Sequence, residues 1–257
     1  MEKITSRTNP LLGHFKKLLR DRSYRRSCGE YVGDGVKLLE EAIRWQAPLT
    51  AVLLTEDVTC PPLPQGVRRA VLPSDVMASV SPMKAPQGAL FSLKQPDLRP
   101  PERLEGSRYL ILDGLQDPGN VGTIWRTADA FGANGLLLTG HCADPFGWKA
   151  VRAGMGAAFR LPVWEVEGEG LLPLLDRSGL PLYATALRED AVELQQADLS
   201  RCAVAIGSEG HGVSARLLDA CRETVKIPME PQCESLNAAT AAAVVLWEWY
   251  RDGADRK

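Results

Sequence analysis

The chain has 257 residues, of which 45% are apolar and 24% are charged, and its formal net charge is −2. This composition is that of a globular protein, and the length suits one large domain or two smaller ones. No stretch approaches the roughly 18 consecutive apolar residues of a membrane span, and the first residues lack an apolar signal region, so we expect a cytoplasmic protein that does not enter membranes.

The first part of the chain predicts a small α/β domain. Apolar residues recur at helical spacing in residues 9–22, with Asn9 as the expected cap and Pro10 at the first helical position. These apolar positions are Leu11, Leu12, Phe15, Leu18 and Leu19. The patterns that follow predict a strand, a helix, two strands, a short helix capped by Ser74 and a final strand.

Positive charge is concentrated in the first hundred residues. Residues 1–100 carry 15 Lys and Arg against 10 Asp and Glu, a net charge of +5, whereas residues 101–257 carry 15 against 22, a net charge of −7. Such a cluster can bind a polyanion, although a solvated amphipathic helix would show the same charges. The candidate contacts to a polyanion are Arg7, Lys16, Lys17, Arg20, Arg25 and Arg26.

The cysteines do not form a pattern of their own. They stand at positions 28, 60, 142, 202, 221 and 233, and no C-x-x-C pair occurs among them. Scattered thiols in a chain of this size predict reduced residues, with neither a disulfide framework nor a zinc site. We expect no metal.

The second part of the chain alternates strands with helices. Residues 94–106 are rich in proline and charge without any period, which indicates a linker. Beyond it, apolar strands alternating with helices predict a parallel sheet covered on both faces. We expect helices over residues 121–131, near 149–158 and near 191–197, and a closing alanine-rich helix after residue 237.

Three loops that follow predicted strands are unusually polar or rich in glycine. They cover residues 113–126, 206–214 and 227–237. Ligands of open parallel sheets bind outside the carboxyl ends of the strands, so we expect these loops to converge. Taken singly, each loop also fits a purely structural role. Residues 113–126 could be a turn with a surface arginine, and residues 227–237 could lead into a capped helix. Residues 206–214 form a glycine loop that matches neither a P-loop nor the dinucleotide fingerprint.

Taken in order, the segments DPGNVGTIWRTADAFG, IGSEGHGVS and IPMEPQCESLNAATA resemble the three signature motifs of the SpoU (TrmH-like) branch of the SPOUT RNA methyltransferases. These enzymes methylate a ribose 2′-hydroxyl with S-adenosylmethionine. The resemblance covers residues 107–251. More weakly, the segments ITSRTNPLLGHFKKL and GEYVGDG resemble the small L30e-like domain that binds substrate in many members, with Asp34-Gly35 where Glu-Gly is more usual.

The resemblance implies an α/β fold in two domains: an L30e-like RNA-binding domain at 1–95, a linker at 96–106 and a parallel-sheet SPOUT domain at 107–257. It also implies a C-terminal trefoil knot and a homodimer in which the site is completed across the interface. The catalytic residues carried over from the motifs are Asn120, Arg126, Glu209, Ser235 and Asn237. The cofactor-binding residues carried over are Thr185, Gly207, Ile227 and Leu236.

The implied reaction is attack by a ribose 2′-oxygen on a methyl sulfonium, and the hydroxyl must lose its proton. The three histidines, His14, His141 and His211, lie outside the matched motif positions. The resemblance assigns activation to Arg126, either as an unprotonated base or as a charged group that binds substrate phosphate and stabilises the developing alkoxide. We favour the second, because a guanidinium normally keeps its proton. Glu209 would offset the charge of the sulfonium.

The leading hypothesis is therefore an S-adenosylmethionine-dependent RNA 2′-O-methyltransferase acting on RNA, with 23S rRNA favoured over tRNA as its substrate. One alternative is a catalytically silent RNA-binding or assembly protein of the same fold, against which the intact motif residues argue. Another is a methyltransferase of small molecules or proteins, which the positive first hundred residues make less attractive.

Overall fold

The computed structural model describes residues 2–59, 61–233 and 235–254. The chain forms two compact units. The first contains the residues up to Pro96 together with Asp144–Phe159, and the second contains Asp97–Ala143 together with the residues from Arg160 onward. Among the described residues, no helix is both long and apolar enough to cross a membrane.

The first unit is built on a mixed five-stranded sheet in the order β1-β4-β3-β5-β2. Strands β1, β3 and β4 run parallel, whereas β5 runs antiparallel to both of its neighbours. The elements of this unit are β1 (Glu2–Lys3), α1 (Pro10–Arg20), α2 (Arg22–Cys28), β2 (Glu30–Asp34), α3 (Val36–Arg44), β3 (Leu49–Thr55), β4 (Arg68–Leu72), α4 (Ser74–Ala78), β5 (Ala89–Lys94) and α6 (Trp148–Gly154).

Helix α1 confirms the helical pattern of residues 9–22. The Asn9 side chain accepts a hydrogen bond from the Leu11 N–H at 2.8 Å, and Pro10 occupies the first turn. All five predicted apolar positions are buried. The sequence did not predict the separate helix α2, which begins because Asp21 ends α1 and then caps α2 by accepting from the Tyr24 N–H at 3.0 Å.

The second unit contains a seven-stranded, fully parallel sheet in the order β10-β12-β9-β11-β6-β7-β8. This confirms the predicted α/β class. Its elements are β6 (Arg108–Asp113), α5 (Pro118–Ala130), β7 (Gly135–Thr139), β8 (Val163–Glu165), α7 (Leu171–Ser178), β9 (Leu182–Thr185), β10 (Val192–Glu193), β11 (Cys202–Gly207), α8 (Ala215–Ala220), β12 (Glu223–Lys226) and α9 (Ala238–Ala254).

Residues 144–159 differ from the sequence-based expectation, which kept them with the second half of the chain. They belong to the first unit. Phe146 packs on Tyr31 with ring centroids 4.6 Å apart, and Trp148 packs against the core of the first unit. Full burial of the Phe146 ring and partial burial of the Trp148 ring are a strong reason for the segment to join that core. The helix expected near 149–158 is shorter, because Met155 ends α6 with a left-handed φ of 46°.

The helix expected near residues 191–197 is wrong. Val192 and Glu193 instead form the edge strand β10, with Val192 paired in register with Val225 of β12, and a single 3₁₀ turn follows at Leu194–Gln196. The apolar spacing of so short a segment does not distinguish a helix from an edge strand, and the ladder to β12 decides between them.

Candidate active site

The polar loops of the second unit leave the same edge of its sheet. Strands β6 and β11 are neighbours, and their last residues, Asp113 and Gly207, are paired in register. Strand β9 lies on the other side of β11, and its last residue, Thr185, is paired with Val225 near the end of β12. The carboxyl ends of parallel strands open onto one side of the sheet, where ligands bind in folds of this kind.

The loop after β11 folds back sharply on itself. Ser208 and Gly212 exchange backbone hydrogen bonds of 3.1 and 2.9 Å, which places Glu209 at the tip of a tight turn. The turn requires glycine at position 207, because a Cβ there would lie 1.9 Å from the backbone carbonyl carbon of Gly212. Gly212 itself has a left-handed φ of 67°.

Asp113 anchors this loop to the neighbouring strand. Its side chain is buried, and its Oδ2 accepts a hydrogen bond from the Ser214 N–H at 2.7 Å. This bond fixes the far end of the Glu209 turn, just before helix α8. Sequence reasoning gave Asp113 no role, although a carboxylate at the end of a strand and before a glycine is a signal that could have been noticed.

Asn120 is presented by a well-capped helix start. The Asp117 side chain accepts a hydrogen bond from the Asn120 N–H at 2.8 Å, and Pro118 occupies the first turn of α5. An Asp cap followed by Pro is a recognisable helix start, so Asp117 is a second residue that the sequence pattern could have identified.

A directed chain of hydrogen bonds links the three motifs. The Asn237 side-chain oxygen accepts from the N–H groups of Ala239 and Thr240, at 2.9 and 3.3 Å, at the start of α9. Its amide nitrogen then donates to Asn120 Oδ1 at 3.3 Å. The Asn120 amide nitrogen donates in turn to Glu209 Oε1.

The two ends of this chain fix the orientation of both amides. The helix N–H groups can only donate and an ionised carboxylate can only accept, so each amide must point its oxygen towards α9 and its nitrogen towards Glu209. The structure thus brings Asn120, Glu209 and Asn237 together as one unit of fixed geometry. Among the residues that the structure describes, none hydrogen-bonds the second carboxylate oxygen of Glu209.

A cleft of about 550 Å³ lies beside this network. Its volume is in the range of small-molecule sites. All four predicted cofactor residues line it, and so do three of the five predicted catalytic residues: Thr185, Gly207, Ile227, Leu236, Glu209, Ser235 and Asn237. Among the other lining residues, which the sequence did not predict, Leu187 and Met229 have large apolar side chains, and with Leu236 they give the cleft an apolar wall.

The chemistry of the lining suits S-adenosylmethionine. The backbone approaches closely at Gly207, and the exposed side chains of Leu187 and Leu236 offer apolar surface to a base. The Glu209 carboxylate at the mouth suits a positively charged group. The Thr185 hydroxyl is already satisfied, because it donates to the Ala205 carbonyl at 3.0 Å.

Arg126 is not brought together with the other motif residues. It lies on the exposed side of α5 and does not line the cleft. Within residues 2–59, 61–233 and 235–254 it has no hydrogen bond or ion pair. Its guanidinium therefore faces solvent in the single chain.

The candidate polyanion contacts of the first unit fall into two groups. Arg25 is 5% exposed, and its guanidinium bonds Asp144 and the Leu18 carbonyl, so burial removes it from the surface that we predicted. Arg7 is exposed but forms an ion pair with Asp75 at 2.7 Å.

The remaining candidates lie on α1 and α2: Lys16, Lys17, Arg20 and Arg26. Among the residues that the structure describes, the first three have no salt bridge.

The sequence model of the SpoU rRNA Methylase family matches residues 107–247. Two curated relatives are similar along nearly the whole chain. The 23S rRNA (guanosine(2553)-2′-O)-methyltransferase RlmP of Bacillus subtilis is 31% identical over 96% of this chain and 98% of its own. The 23S rRNA (uridine(2479)-2′-O)-methyltransferase of Streptomyces viridochromogenes is 31% identical over 97% of this chain and 92% of its own.

A solved structure extends this similarity to the fold. The AdoMet-bound rRNA methyltransferase of Sinorhizobium meliloti superposes with a TM-score of 0.86 at 27% identity, and the match covers 98% of both chains. It was crystallised with the methyl donor that the cleft of this chain suits.

Proposed function

The chain belongs to the SpoU rRNA Methylase family, and from that premise we propose that it transfers a methyl group from S-adenosylmethionine to a ribose 2′-hydroxyl of 23S rRNA. The observation that carries the proposal is the hydrogen-bonded unit of Asn120, Glu209 and Asn237 at the mouth of the glycine-walled cleft. A catalytically silent relative would have no need to hold these three side chains in one fixed orientation.

The cofactor would be held mainly by backbone groups and apolar contacts. Gly207, Ile227 and Leu236 would bound its adenosine, and Thr185 would close the cleft beside strand β9. When bound, S-adenosylmethionine supplies a methyl group made electrophilic by a positively charged sulfur. The carboxylate of Glu209 would offset that charge, since opposite charges a few ångströms apart attract strongly in a partly desolvated cleft.

The chain's own residues would position and stabilise the attacking oxygen. The side chains of Ser235 and Asn237 line the cleft and can hydrogen-bond a ribose there. Arg126 is exposed, and a solvent-exposed guanidinium remains protonated. We therefore assign Arg126 to substrate phosphate and to the alkoxide that develops as the hydroxyl loses its proton, and not to proton abstraction.

Ribosomal RNA is the favoured substrate. Both relatives described above carry names that specify a 2′-O-methyl group in 23S rRNA, one on a guanosine and one on a uridine. Their named targets differ, so the nucleotide cannot be carried over to this chain. Lys16, Lys17 and Arg20 on α1 supply positive charge for binding RNA. We also propose that the protein acts in the cytoplasm.

We further propose a homodimer. Phe131, Trp247 and Tyr250 form an aromatic cluster with ring centroids 5.7 to 6.2 Å apart, where α5 packs on α9. Trp247 and Tyr250 are 51% and 50% exposed, and an apolar surface of this kind is typical of a protein interface. Arg126 is exposed on α5, and we propose that dimerisation brings it towards the site of a second copy. The C-terminal knot remains a prediction from the family.

Methyl transfer can be tested directly. The full-length protein is incubated with radiolabelled S-adenosylmethionine and unmodified 23S rRNA or tRNA, and the RNA is then hydrolysed with alkali. A 2′-O-methyl group blocks cleavage of the adjacent phosphodiester, so we expect label in alkali-resistant dinucleotides from the 23S rRNA. Label found in tRNA and not in 23S rRNA would show that tRNA is the substrate. Label in mononucleotides would indicate base methylation and contradict the proposal.

A further inference from the structure

Two aromatic rings of the first unit, Tyr24 and Trp148, have no part in the chemistry described above. Both are partly buried, and both pack against the same apolar core cluster. Each ring has a lysine ammonium near it: Lys17 Nζ lies 5.3 Å from the centroid of Tyr24, and Lys149 Nζ lies 5.7 Å from that of Trp148. Aromatic rings next to cations are a recurring means of binding unpaired nucleotides.

The ring of Tyr24 is held in place by a chain of hydrogen bonds. Its hydroxyl is 2.9 Å from His14 Nδ1, and His14 Nε2 is 3.1 Å from Glu30 Oε2. The Thr50 hydroxyl donates to the same carboxylate oxygen at 3.1 Å. A ring that is already fixed loses little conformational freedom when a base stacks on it, so more of the stacking energy appears as affinity.

A buried ion pair connects the elements that carry the two rings. Arg25 follows Tyr24 in α2, and Asp144 stands shortly before Trp148. The Arg25 Nε and Nη2 atoms donate to Asp144 Oδ2 at 3.1 and 2.6 Å, and the two side chains are only 7% and 14% exposed. This pair links the segment that leads into α6, which carries Trp148, to α2, which carries Tyr24.

We propose that Tyr24 and Trp148 are base-stacking positions of a surface on the first unit that binds single-stranded RNA. In the free protein, Lys17 and Lys149 lie over the rings. When RNA binds, a base takes the face of each ring and the displaced ammonium pairs with a neighbouring phosphate. The inference rests on the proposed function, because it takes RNA to be the substrate.

The chemistry favours an unpaired strand over other polyanions. The bases of an RNA duplex are stacked on one another, so their faces are hidden from a protein ring. An acidic protein segment would engage Lys17, Lys149 and the nearby Lys16 and Arg20, but it would gain nothing from Tyr24 and Trp148. If binding affinity depends on the two rings as well as on the lysines, the partner is an unpaired strand. If it depends on the lysines alone, the partner is another polyanion.

The experiment measures binding of full-length protein to an oligouridine of about twelve nucleotides, which is within the range of common single-strand sites. We expect Tyr24→Leu and Trp148→Leu each to weaken binding about tenfold and Trp148→Phe to stay close to the wild type. Tyr24→Phe should weaken binding less than Tyr24→Leu does, because it keeps the ring but loses the hydrogen bond to His14. Trp45→Leu is the matched control, because Trp45 is a 48% exposed tryptophan of the same unit at the end of α3. It should bind as the wild type does.

Several outcomes would overturn the inference. They are equal affinity of the leucine variants and the wild type, tighter binding of a duplex of the same length, or equally tight binding of oligoglutamate. Thermal melting checks that each variant folds. If a leucine variant does not fold, ultraviolet crosslinking of oligouridine to the wild type decides, since the crosslinked peptides should contain Tyr24 or Trp148, and crosslinks found only elsewhere refute the proposal.

The wild type distinguishes this inference from the proposed function. If it methylates 23S rRNA while the ring substitutions leave RNA binding unchanged, only the stacking surface is wrong. If it binds oligouridine through the rings but neither binds S-adenosylmethionine in calorimetry nor transfers a methyl group, the surface stands and the enzymatic proposal is wrong.

Discussion

The polar groups that we assign to catalysis and those that we assign to RNA binding are held differently in the two units of the chain. In the second unit, Asn120, Glu209 and Asn237 satisfy one another in a chain that begins at a helix N-terminus and ends at a carboxylate. In the first unit, Lys16 and Lys17 extend from α1 without a salt bridge among the described residues. The contrast matches the tasks proposed for them. Methyl transfer requires side chains of fixed orientation. Binding of a polyanion requires positive side chains that no acidic residue of the same protein has neutralised.

The largest effect is expected from filling the space beside Gly207, on which the shape of the cleft depends. Gly207→Ala places a Cβ within 1.9 Å of backbone, so the Glu209 turn must move. We expect affinity for S-adenosylmethionine to fall at least about a hundredfold in calorimetry, which corresponds to roughly 2.7 kcal/mol or more. Gly210→Ala is the control, because a Cβ at that position meets no atom within 4 Å. Gly210→Ala should lose much less affinity than Gly207→Ala does, and an equal loss of affinity in both variants would contradict the role given to Gly207.

The second prediction tests the direction of the hydrogen-bond chain. Asn120→Asp keeps the shape of the side chain but places a carboxylate opposite Glu209. We expect kcat/KM at neutral pH to fall by about a hundredfold or more, a magnitude typical of losing one aligned donor. At lower pH the two carboxyl groups can share a proton and recreate the donor, so activity relative to the wild type should rise as pH falls.

Asn120→Ala provides the comparison for that pH profile. It removes the donor without adding a titratable group, so its activity relative to the wild type should not recover at low pH. Identical pH profiles for the aspartate and alanine variants would contradict the proposal that the amide nitrogen of Asn120 acts by donating a hydrogen bond to Glu209.

The third prediction compares two ion pairs within the first unit. Asp144→Ala leaves the guanidinium of Arg25 buried without its partner, and breaking a buried pair in this way costs about 3 kcal/mol of unfolding free energy. Asp75→Ala breaks the pair between Asp75 and Arg7, whose side chains are 65% and 60% exposed, and should change the stability far less, because solvent screens an exposed pair. Denaturant unfolding measures both, and equal costs would contradict the assignment of Arg25 to the core.

The smallest effect is expected from the positive charges on α1. Replacing Lys16, Lys17 and Arg20 together by glutamate should weaken RNA binding by tenfold or more at low salt and reduce its salt dependence, because fewer counterions are released. Affinity for S-adenosylmethionine should be unchanged. Arg7→Gln is the matched control and should have little effect, since Asp75 already neutralises Arg7. A triple variant that binds RNA as the wild type does in low salt would exclude α1 from the RNA surface.

Local patterns in the sequence predicted a large part of this structure. The spacing of apolar residues identified α1 and its buried face, and alternating strands and helices identified the parallel sheet. The motif residues came from resemblance, and the structure brings Gly207, Glu209 and Asn237 to one cleft. The sequence of a loop gives its chemical groups, whereas the order of the strands in the sheet determines which loops lie next to one another.

What the sequence could not supply depends on contacts between distant residues. The burial of Arg25 follows from Asp144, which is 119 positions away along the chain, so no local pattern separates Arg25 from the exposed Arg26. The same holds for Trp148, whose segment joins the core of the first unit. The anchoring bond from Ser214 to Asp113 likewise joins loops that are far apart in sequence.

The most direct test of the central claim is a nucleotide-resolution map of 2′-O-methylation in total RNA from cells with and without the gene, with complementation by the wild type and by Glu209→Gln. We predict that one 2′-O-methyl group of 23S rRNA disappears without the gene and that only the wild type restores it. An unchanged 23S rRNA map, or full restoration by the Glu209→Gln variant, would contradict the account.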